Sequence, residues 1–252
     1  MRLIIVLALT VFLIPTAELV ASDAENAWYS ISLRKKADKN NLPFLYVEND
    51  PSLPNVLLYG DSISIGYTPS AREALKGEAN VYRIHVNGGD SSSFISKMDL
   101  MHLTMKPYWS HDWDVIHFNL GLHDLKYVTK GKLDKVGGTQ VSSLDDYKAN
   151  LRNIISYLKR TAPRASLIFC ATTPVPEGEP GRQAGDAARY NAAALAVLKD
   201  YPEIEVNDLF AFTKPNQPQW WTRPGNVHFN AIGVTAQGNE VARVLRQTLN
   251  AR

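Results

Sequence analysis

The sequence contains 252 residues, of which 45% are hydrophobic and 21% are charged, and its formal net charge is +2. This length is sufficient for one sizeable domain with a closed core, and the composition is that of an ordinary globular protein. No basic run with interleaved aromatic residues is present, which argues against nucleic acid as a partner. The single cysteine, Cys170, excludes an internal disulfide, and its apolar neighbours predict a core position on a strand.

Residues 1–22 have the pattern of a secretory signal peptide. Arg2 provides a positive start, Leu3–Ile14 is nearly all apolar, and Val20-Ala21-Ser22 offers small residues for cleavage. A membrane anchor is the alternative, but the apolar run is too short to cross about 30 Å of hydrocarbon. The pattern predicts export to the periplasm or the extracellular space, with no membrane anchor after cleavage.

After the predicted cleavage site, residues 23–54 form a polar N-terminal extension with a short helix at Ala27–Ala37, and residues 55–252 form the main domain. In the domain, apolar runs that indicate strands alternate with helical patterns. The predicted strands are Val56–Tyr59, Asn80–Val86, Asp114–Asn119, Ser166–Ala171 and Glu203–Asn207. The predicted helices are Thr68–Lys76, Ser92–Met105, Leu144–Thr161, Ala184–Asp200 and Asn230–Leu249. This alternation predicts an α/β fold with a mostly parallel five-stranded sheet that is covered on both faces.

Two segments, 126–143 and 174–183, are too long and irregular to be simple connections. Long loops in compact domains are often functional, and these two are candidates for shaping a substrate cleft. A family-specific insertion with no role is the alternative.

Four polar motifs follow predicted strands or precede the last helix. Since ligands of parallel sheets bind beyond the carboxyl ends of the strands, the four motifs are expected on the same rim. The motifs are Gly60-Asp61-Ser62, Asn87-Gly88-Gly89, Gly121-Leu122-His123-Asp124 and Val227-His228.

The order and spacing of these motifs resemble those of the SGNH or GDSL hydrolase superfamily. The resemblance covers residues 56–233 and implies a three-layer α/β/α, flavodoxin-like domain that needs no metal or other cofactor. It implies that Ser62 is the nucleophile of an ester hydrolase and that His228 is its base. It also implies an oxyanion hole made by the N–H groups of Ser62 and Gly89 and by the ring of His123.

The sequence departs from the family pattern at two positions. His123 stands where the third motif of the family has asparagine, although a neutral imidazole still offers one N–H donor. Gly225 stands where the family has the aspartate that orients the histidine. A backbone carbonyl, the amide oxygen of Asn226 or a distant acid is expected to take over that role. On this interpretation, Gly225→Asp is expected to speed the reaction by restoring a carboxylate.

Asp61, Asn87 and Asp124 are expected to support the site rather than to react. Each motif also has a structural interpretation: Ser62 as a helix N-cap, Gly88-Gly89 as a turn, and His123 as a hydrogen-bonding residue of a loop. A metal site is a competing hypothesis, because acids and histidines crowd into residues 111–124. In an extended chain, however, His111 and His117 lie about 20 Å apart, so no metal is predicted.

We therefore expect an exported serine esterase that acts on a small acyl ester, in particular an acetyl ester, of a small molecule or a polysaccharide. The polysaccharide link comes from the resemblance alone. Within the superfamily, a lipase, a lysophospholipase or a thioesterase is an alternative. A carbohydrate-binding relative with impaired catalysis is another, favoured by the departures at His123 and Gly225. Trp220-Trp221 is expected either to form a substrate platform or to pack beneath the last loop. The sequence does not indicate the oligomeric state.

Overall fold

Five parallel strands form the centre of the domain in the computed structural model, which describes the backbone of residues 17–252 and the side chains of residues 23–252. The apolar stretch Leu3–Ile14 of the predicted signal peptide lies outside the described residues. The strands are β1 Asn55–Tyr59, β2 Asn80–Arg83, β3 Val115–Asn119, β4 Tyr127–Thr129, β5 Lys132–Leu133, β6 Thr139–Gln140, β7 Ser166–Cys170 and β8 Glu205–Asn207. The α-helices are α1 Ala17–Ile31, α2 Ser62–Ala74, α3 Phe94–Met105, α4 Leu144–Thr161, α5 Asp186–Leu198, α6 Leu209–Thr213, α7 Gln217–Trp220 and α8 Ala231–Asn250.

The main sheet has the strand order β2-β1-β3-β7-β8, and every neighbouring pair is parallel. All five residues of β1 and of β3 are buried, as expected for strands covered by helices on both faces. The predicted α/β class and the parallel five-stranded sheet are therefore confirmed. The chain runs outward from β1 to β2 and then returns to β3, so the order of the strands reverses between β1 and β3. Such a reversal opens a crevice at the carboxyl ends of the two strands, where α/β proteins bind their ligands.

Two predicted elements were wrong, and a third began too late, since α2 starts at Ser62 rather than at Thr68. The N-terminal helix spans Ala17–Ile31 rather than Ala27–Ala37, because the chain leaves the helix to join the sheet edge, where the N–H of Leu33 donates to the carbonyl of His85. The segment 126–143 is not irregular, since β4, β5 and β6 form a small antiparallel sheet. Strands of two or three residues are too short to show a periodic pattern in the sequence.

Helices α2 and α8 pack closely against each other and bring the first and last motifs together. Gly238 of α8 makes this approach possible, because a Cβ atom there would lie 2.5 Å from the Cβ atom of Ser70 in α2. Ser62 begins α2, and His228 lies three residues before α8, so the contact positions both motifs relative to each other. Within the described part of the chain, none of the helices has the length and apolar character needed to span a membrane.

Candidate active site

The first and last motifs meet at the carboxyl end of the main sheet. The hydroxyl oxygen Oγ of Ser62 lies 2.9 Å from the ring nitrogen Nε2 of His228, although 166 positions separate the two residues. Ser62 occupies the first turn of α2, where backbone N–H groups have no partner within the helix and favour negative charge. The pair therefore has the geometry of a hydroxyl nucleophile and its base.

Asn226 determines which nitrogen of His228 carries the proton. Its oxygen Oδ1 accepts the backbone N–H of His228 at 2.8 Å and lies 2.8 Å from the ring nitrogen Nδ1. A backbone N–H can only donate, so the atom it meets must be the amide oxygen and not the amide nitrogen. Nδ1 must then donate as well, which leaves Nε2 free to accept the proton of Ser62. Of the three expected ways to orient His228, the structure contains the one that uses Asn226.

Gly225 has a left-handed backbone conformation, which glycine adopts most readily and aspartate only at some cost. Its φ of +71° lies in the left-handed region, where residues with a side chain are strained. A Cβ atom at this position would lie 3.0 Å from the carbonyl oxygen of Gly178. The expected gain in rate from Gly225→Asp is therefore opposed by the strain that the substitution places on the loop that holds His228, and it stays a prediction.

Asp61 and Arg83 brace the turn that carries Ser62. Asp61 caps α2 by accepting the N–H of Ile63 at 2.9 Å, and its buried negative charge favours protonation of His228 and His123. Arg83, in the last position of β2, is completely buried and donates to the carbonyl of Gly60 at 3.2 Å and to Oγ of Ser64 at 2.8 Å. The predicted supporting role of Asp61 agrees with this position, whereas the role of Arg83 was not foreseen.

His123 lines the same cleft as Ser62 and His228, and Lys126 orients its ring. The ammonium nitrogen Nζ of Lys126 lies 2.8 Å from Nδ1 of His123. Lysine can only donate, so Nδ1 accepts and the proton of the neutral ring sits on Nε2. Burial, with the charges of Lys126 and Arg182, lowers the pKa of His123 to about 4, so the ring is neutral near pH 7. His123 thus offers one N–H donor, as the oxyanion hypothesis requires.

Gly89 and Asn87 lie next to each other in the loop after β2. The N–H of Gly89 donates to the side-chain oxygen Oδ1 of Asn87 at 2.9 Å. This N–H must exchange its partner before it binds a negatively charged oxygen, so its role as an oxyanion donor stays a prediction. Gly88, the neighbouring residue, lies so close to the nucleophile turn that a Cβ atom there would approach the carbonyl oxygen of Gly60 to 2.7 Å.

Asp124 is completely buried and ties three segments together. Its carboxylate accepts the N–H of Ser91 at 3.0 Å and the hydroxyl groups of Ser91 and Ser142 at 2.5 and 2.8 Å. Burial raises the pKa of this carboxyl group, and the hydrogen bonds from Ser91 and Ser142 oppose that rise. Asp124 therefore holds the loop after β2 beside the loop after β3, in the supporting position expected for it.

The two long segments identified in the sequence form walls of the cleft, which has a volume of about 580 Å³. The β4–β6 sheet contributes Val128 and Leu133, and segment 174–183 contributes Glu179 and Arg182. Glu179 and Arg182 form a buried ion pair of 2.6 Å, and Nε of Arg182 also donates to the carbonyl of Leu122. This pair anchors the second segment beside His123.

Lys126, Arg182 and Arg83 are the site residues that sequence reasoning missed. For Arg83 a signal existed, because a charged residue interrupts an otherwise apolar strand; Lys126 and Arg182 lie in loops that show no such signal. Trp220 and Trp221 pack against the hydrophobic core and are not among the described residues that line the cleft. Within residues 23–252, no group of three or more histidine, cysteine or acidic side chains could hold a metal ion.

Comparison with known proteins identifies the family. The model of the GDSL-like Lipase/Acylhydrolase family matches residues 58–236, which include all four motifs. A GDSL esterase/lipase of Arabidopsis thaliana is 30% identical over 130 residues, or 45% of this chain. The match spans about half (53%) of that relative's length.

Solved structures share the fold. A lipase/acylhydrolase from Enterococcus faecalis superimposes with a TM-score of 0.60 and 16% identity, over 77% of this chain and 96% of the other. The acetyl xylan esterase AlAXEase superimposes with a TM-score of 0.58 and 20% identity, over 76% of this chain and 99% of the other. At these identities, the likeness concerns the architecture of the domain.

The first prediction concerns Asn226. Burial lowers the pKa of His228, so catalysis by its neutral ring should persist below pH 6.5. Asn226→Asp places a negative charge beside Nδ1, which favours the protonated ring and shifts the acidic limb of the kcat/KM–pH profile to higher pH.

Asn226→Ala leaves Nδ1 without its acceptor and should lower kcat by at least about tenfold. Asn239→Ala, which shortens an exposed side chain of α8, is the control and should retain the wild-type kcat. Wild-type kcat in Asn226→Ala, or an unshifted profile in Asn226→Asp, would contradict this role.

The second prediction concerns Lys126. Lys126→Met removes the donor to Nδ1 of His123 and allows the ring to place its proton there, so kcat should fall about tenfold with little change in KM. Nitrogen NMR shifts of His123 should change from the Nε2–H form toward a mixture of tautomers. Lys126→Arg retains a donor and should recover much of the activity. An unchanged tautomer in Lys126→Met would show that another group orients this ring.

Proposed function

Because the chain belongs to the GDSL-like lipase/acylhydrolase family and is a carboxylic ester hydrolase, we propose that it hydrolyses small acyl esters, in particular acetyl esters of carbohydrates, with Ser62 as nucleophile and His228 as base. The distance of 2.9 Å between Oγ of Ser62 and Nε2 of His228 carries this proposal. The proton position set by Asn226 supports it, because the nitrogen facing Ser62 is the one that lacks a proton.

The proposed reaction has two stages. In the first, Ser62 attacks the ester carbonyl while Nε2 of His228 takes the hydroxyl proton, and the tetrahedral intermediate forms beside the Nε2–H donor of His123. His228 then protonates the departing alcohol, which leaves an acyl group on Ser62. In the second stage, water attacks that acyl group, His228 removes the proton of the water, and the carboxylic acid departs as Ser62 regains its proton.

The dimensions and lining of the cleft favour a small acyl group over a long one. Its volume is about 580 Å³, and its apolar side chains among the described residues are Val128, Leu133, Pro180 and Val227. A long acyl chain needs a continuous apolar surface, whereas this cleft is also lined by the charged side chains of Lys126, Arg182 and Arg223. The similarity of fold to an acetyl xylan esterase is in line with an acetyl ester on a carbohydrate.

The third prediction tests the nucleophile. Ser62→Ala should lower hydrolysis of p-nitrophenyl acetate by more than about a thousandfold, because no other group replaces the attacking oxygen. A fluorophosphonate should label Ser62 in the folded wild-type protein and fail to label Ser62→Ala. Ser96→Ala, which removes an exposed serine from α3, is the matched control and should behave as wild type. Activity of Ser62→Ala within tenfold of wild type would refute the mechanism. Wild-type protein that resists labelling would favour a carbohydrate-binding protein, and preference for p-nitrophenyl palmitate would favour a lipase.

We further propose that the protein is exported, on the strength of residues 1–22 with their apolar stretch Leu3–Ile14. The fourth prediction is that the protein recovered outside the cytoplasm of a bacterial host begins near Asp23, as read by N-terminal sequencing. Replacing Leu7 and Val11 by Asp interrupts the apolar stretch and should retain the full-length chain in the cytoplasm. Recovery of the uncleaved chain in the cytoplasm of the wild type would contradict export.

A further inference from the structure

The small antiparallel sheet beside the cleft carries a concentration of positive charge. The ten residues from Lys126 to Lys135 include four lysines and one acid, Asp134. Two residues next to these lysines line the cleft: Gly131, between Lys130 and Lys132, and Leu133. Arg223, in the loop that holds His228, also lines the cleft. Cationic residues thus stand beside the cleft on two different segments. Lys132 is paired with Thr129, on the face of the small sheet opposite to the cleft-lining Val128 and Leu133, so it does not face the cleft. We refer to Lys130 and Arg223 together as the basic wall.

The basic wall has no negative partner within the protein. Among the described residues, no carboxylate forms an ion pair with Lys130 or Arg223. Three acids near the small sheet are already engaged. Asp186 accepts from Tyr127 and Gln140 of this sheet and pairs with Arg189. Asp134 accepts the hydroxyl of Thr129 and the N–H of Gly137, and Glu179 is paired with Arg182. The wall therefore presents net positive charge to the solvent at the mouth of the cleft.

Lys130 occupies a strained backbone position at the tip of the wall. Thr129 pairs with Lys132, so Lys130 and Gly131 form a two-residue hairpin turn with φ values of +49° and +76°. Such turns favour asparagine, aspartate or glycine in the first position, and a lysine there is uncommon. Strained backbone positions cluster at functional sites, so a lysine at this position is in line with a role for its charge.

The wall is held firmly against the rest of the site. The N–H of Tyr127 donates to the carbonyl of Gly181 at 2.7 Å, and the N–H of Lys135 donates to the carbonyl of Pro180 at 3.2 Å. These hydrogen bonds join the small sheet to the segment that the Glu179–Arg182 ion pair anchors beside His123. A ligand bound along the wall would therefore be positioned relative to Ser62.

We propose that the basic wall binds an acidic polysaccharide, whose uronic acid carboxylates pair with Lys130 and Arg223 while an acetyl ester of the same chain reaches Ser62. The inference rests on the proposed function and adds the charge of the substrate. An extended polyanion matches cations that two different segments place beside the cleft. A lipid surface fits less well, because it requires a broad apolar face. The exposed large apolar side chains of this region, Leu133, Val136 and Val141, are few and alternate with polar and charged residues along the chain.

The test compares two acetylated polymers that differ in charge. Acetylated polygalacturonic acid carries carboxylates, and acetylated xylan freed of its uronic acid branches is neutral. At low salt, kcat/KM for acetyl release should be at least about tenfold higher on the acidic polymer, and about 0.5 M sodium chloride should remove most of this advantage. Hydrolysis of p-nitrophenyl acetate by the same preparation reports whether the ester hydrolase itself is active.

Variants locate the effect on the wall. Lys130→Asn suits the hairpin turn, so it should retain the thermal stability of the wild type while lowering the acidic-to-neutral preference about two- to fivefold. Arg223→Gln should lower it by a similar factor, and the two changes together by more than either alone. Lys76→Asn and Arg160→Gln are matched controls, since Lys76 follows the C-terminal end of α2 and Arg160 lies in the last turn of α4, both away from the cleft. The controls should retain the wild-type preference.

The outcomes separate this inference from the proposed function. Failure to hydrolyse p-nitrophenyl acetate and both polymers would overturn the proposed function and the inference with it. Hydrolysis of p-nitrophenyl acetate with equal rates on the two polymers would overturn the inference alone. A preference that the control variants lose as readily as Lys130→Asn would also overturn it. So would sedimentation of the protein with phosphatidylglycerol vesicles in the absence of a preference for the acidic polymer, because the wall would then recognise a lipid surface.

Discussion

The site depends on one oxygen atom, Oδ1 of Asn226, which accepts two hydrogen bonds from the same histidine. The backbone N–H of His228 determines that this atom is an oxygen, and the oxygen in turn determines that Nδ1 carries the ring proton. Nε2 is left as an acceptor, 2.9 Å from the hydroxyl of Ser62. An amide here has the role of the aspartate expected at Gly225, although it orients the ring without adding a negative charge. Asp61 supplies the negative charge nearby, from the cap of α2.

The two histidines of the cleft have opposite proton positions, and each is set by a group that can only donate. The backbone N–H of His228 fixes the oxygen of Asn226 beside Nδ1, so Nδ1 carries the proton and Nε2 of His228 accepts. Lys126 donates to Nδ1 of His123, so Nε2 of that ring carries the proton and donates. The same type of side chain thus serves both proposed roles, a base and an oxyanion donor. Burial lowers the pKa of both rings, so both are neutral near pH 7, as the two proposed roles require.

The loops that carry these residues are joined by buried polar contacts. Asp124 ties the loop after β2 to the loop after β3, and Arg83 reaches from β2 to the carbonyl of Gly60 at the nucleophile turn. The Glu179–Arg182 pair joins a further segment to the same rim. Such groups are costly to bury without partners, so each contact favours one arrangement of the loops. The close contact of α2 with α8 then places Ser62 opposite His228.

The sequence by itself determined the α/β class, the five strands, four of the five main helices to within a few residues, and the order of the four motifs along one rim. These follow from local patterns: buried strands are continuous apolar runs, and amphipathic helices repeat every 3.6 residues. The role of Asn226, the partner of His123 and the left-handed conformation of Gly225 were decided only by the tertiary structure. Proton positions depend on contacts between residues that are distant in the chain. The conformation of Gly225 and the short strands at 127–140 depend on loop geometry. Contacts of the first kind and geometry of the second kind leave no periodic signal in the sequence.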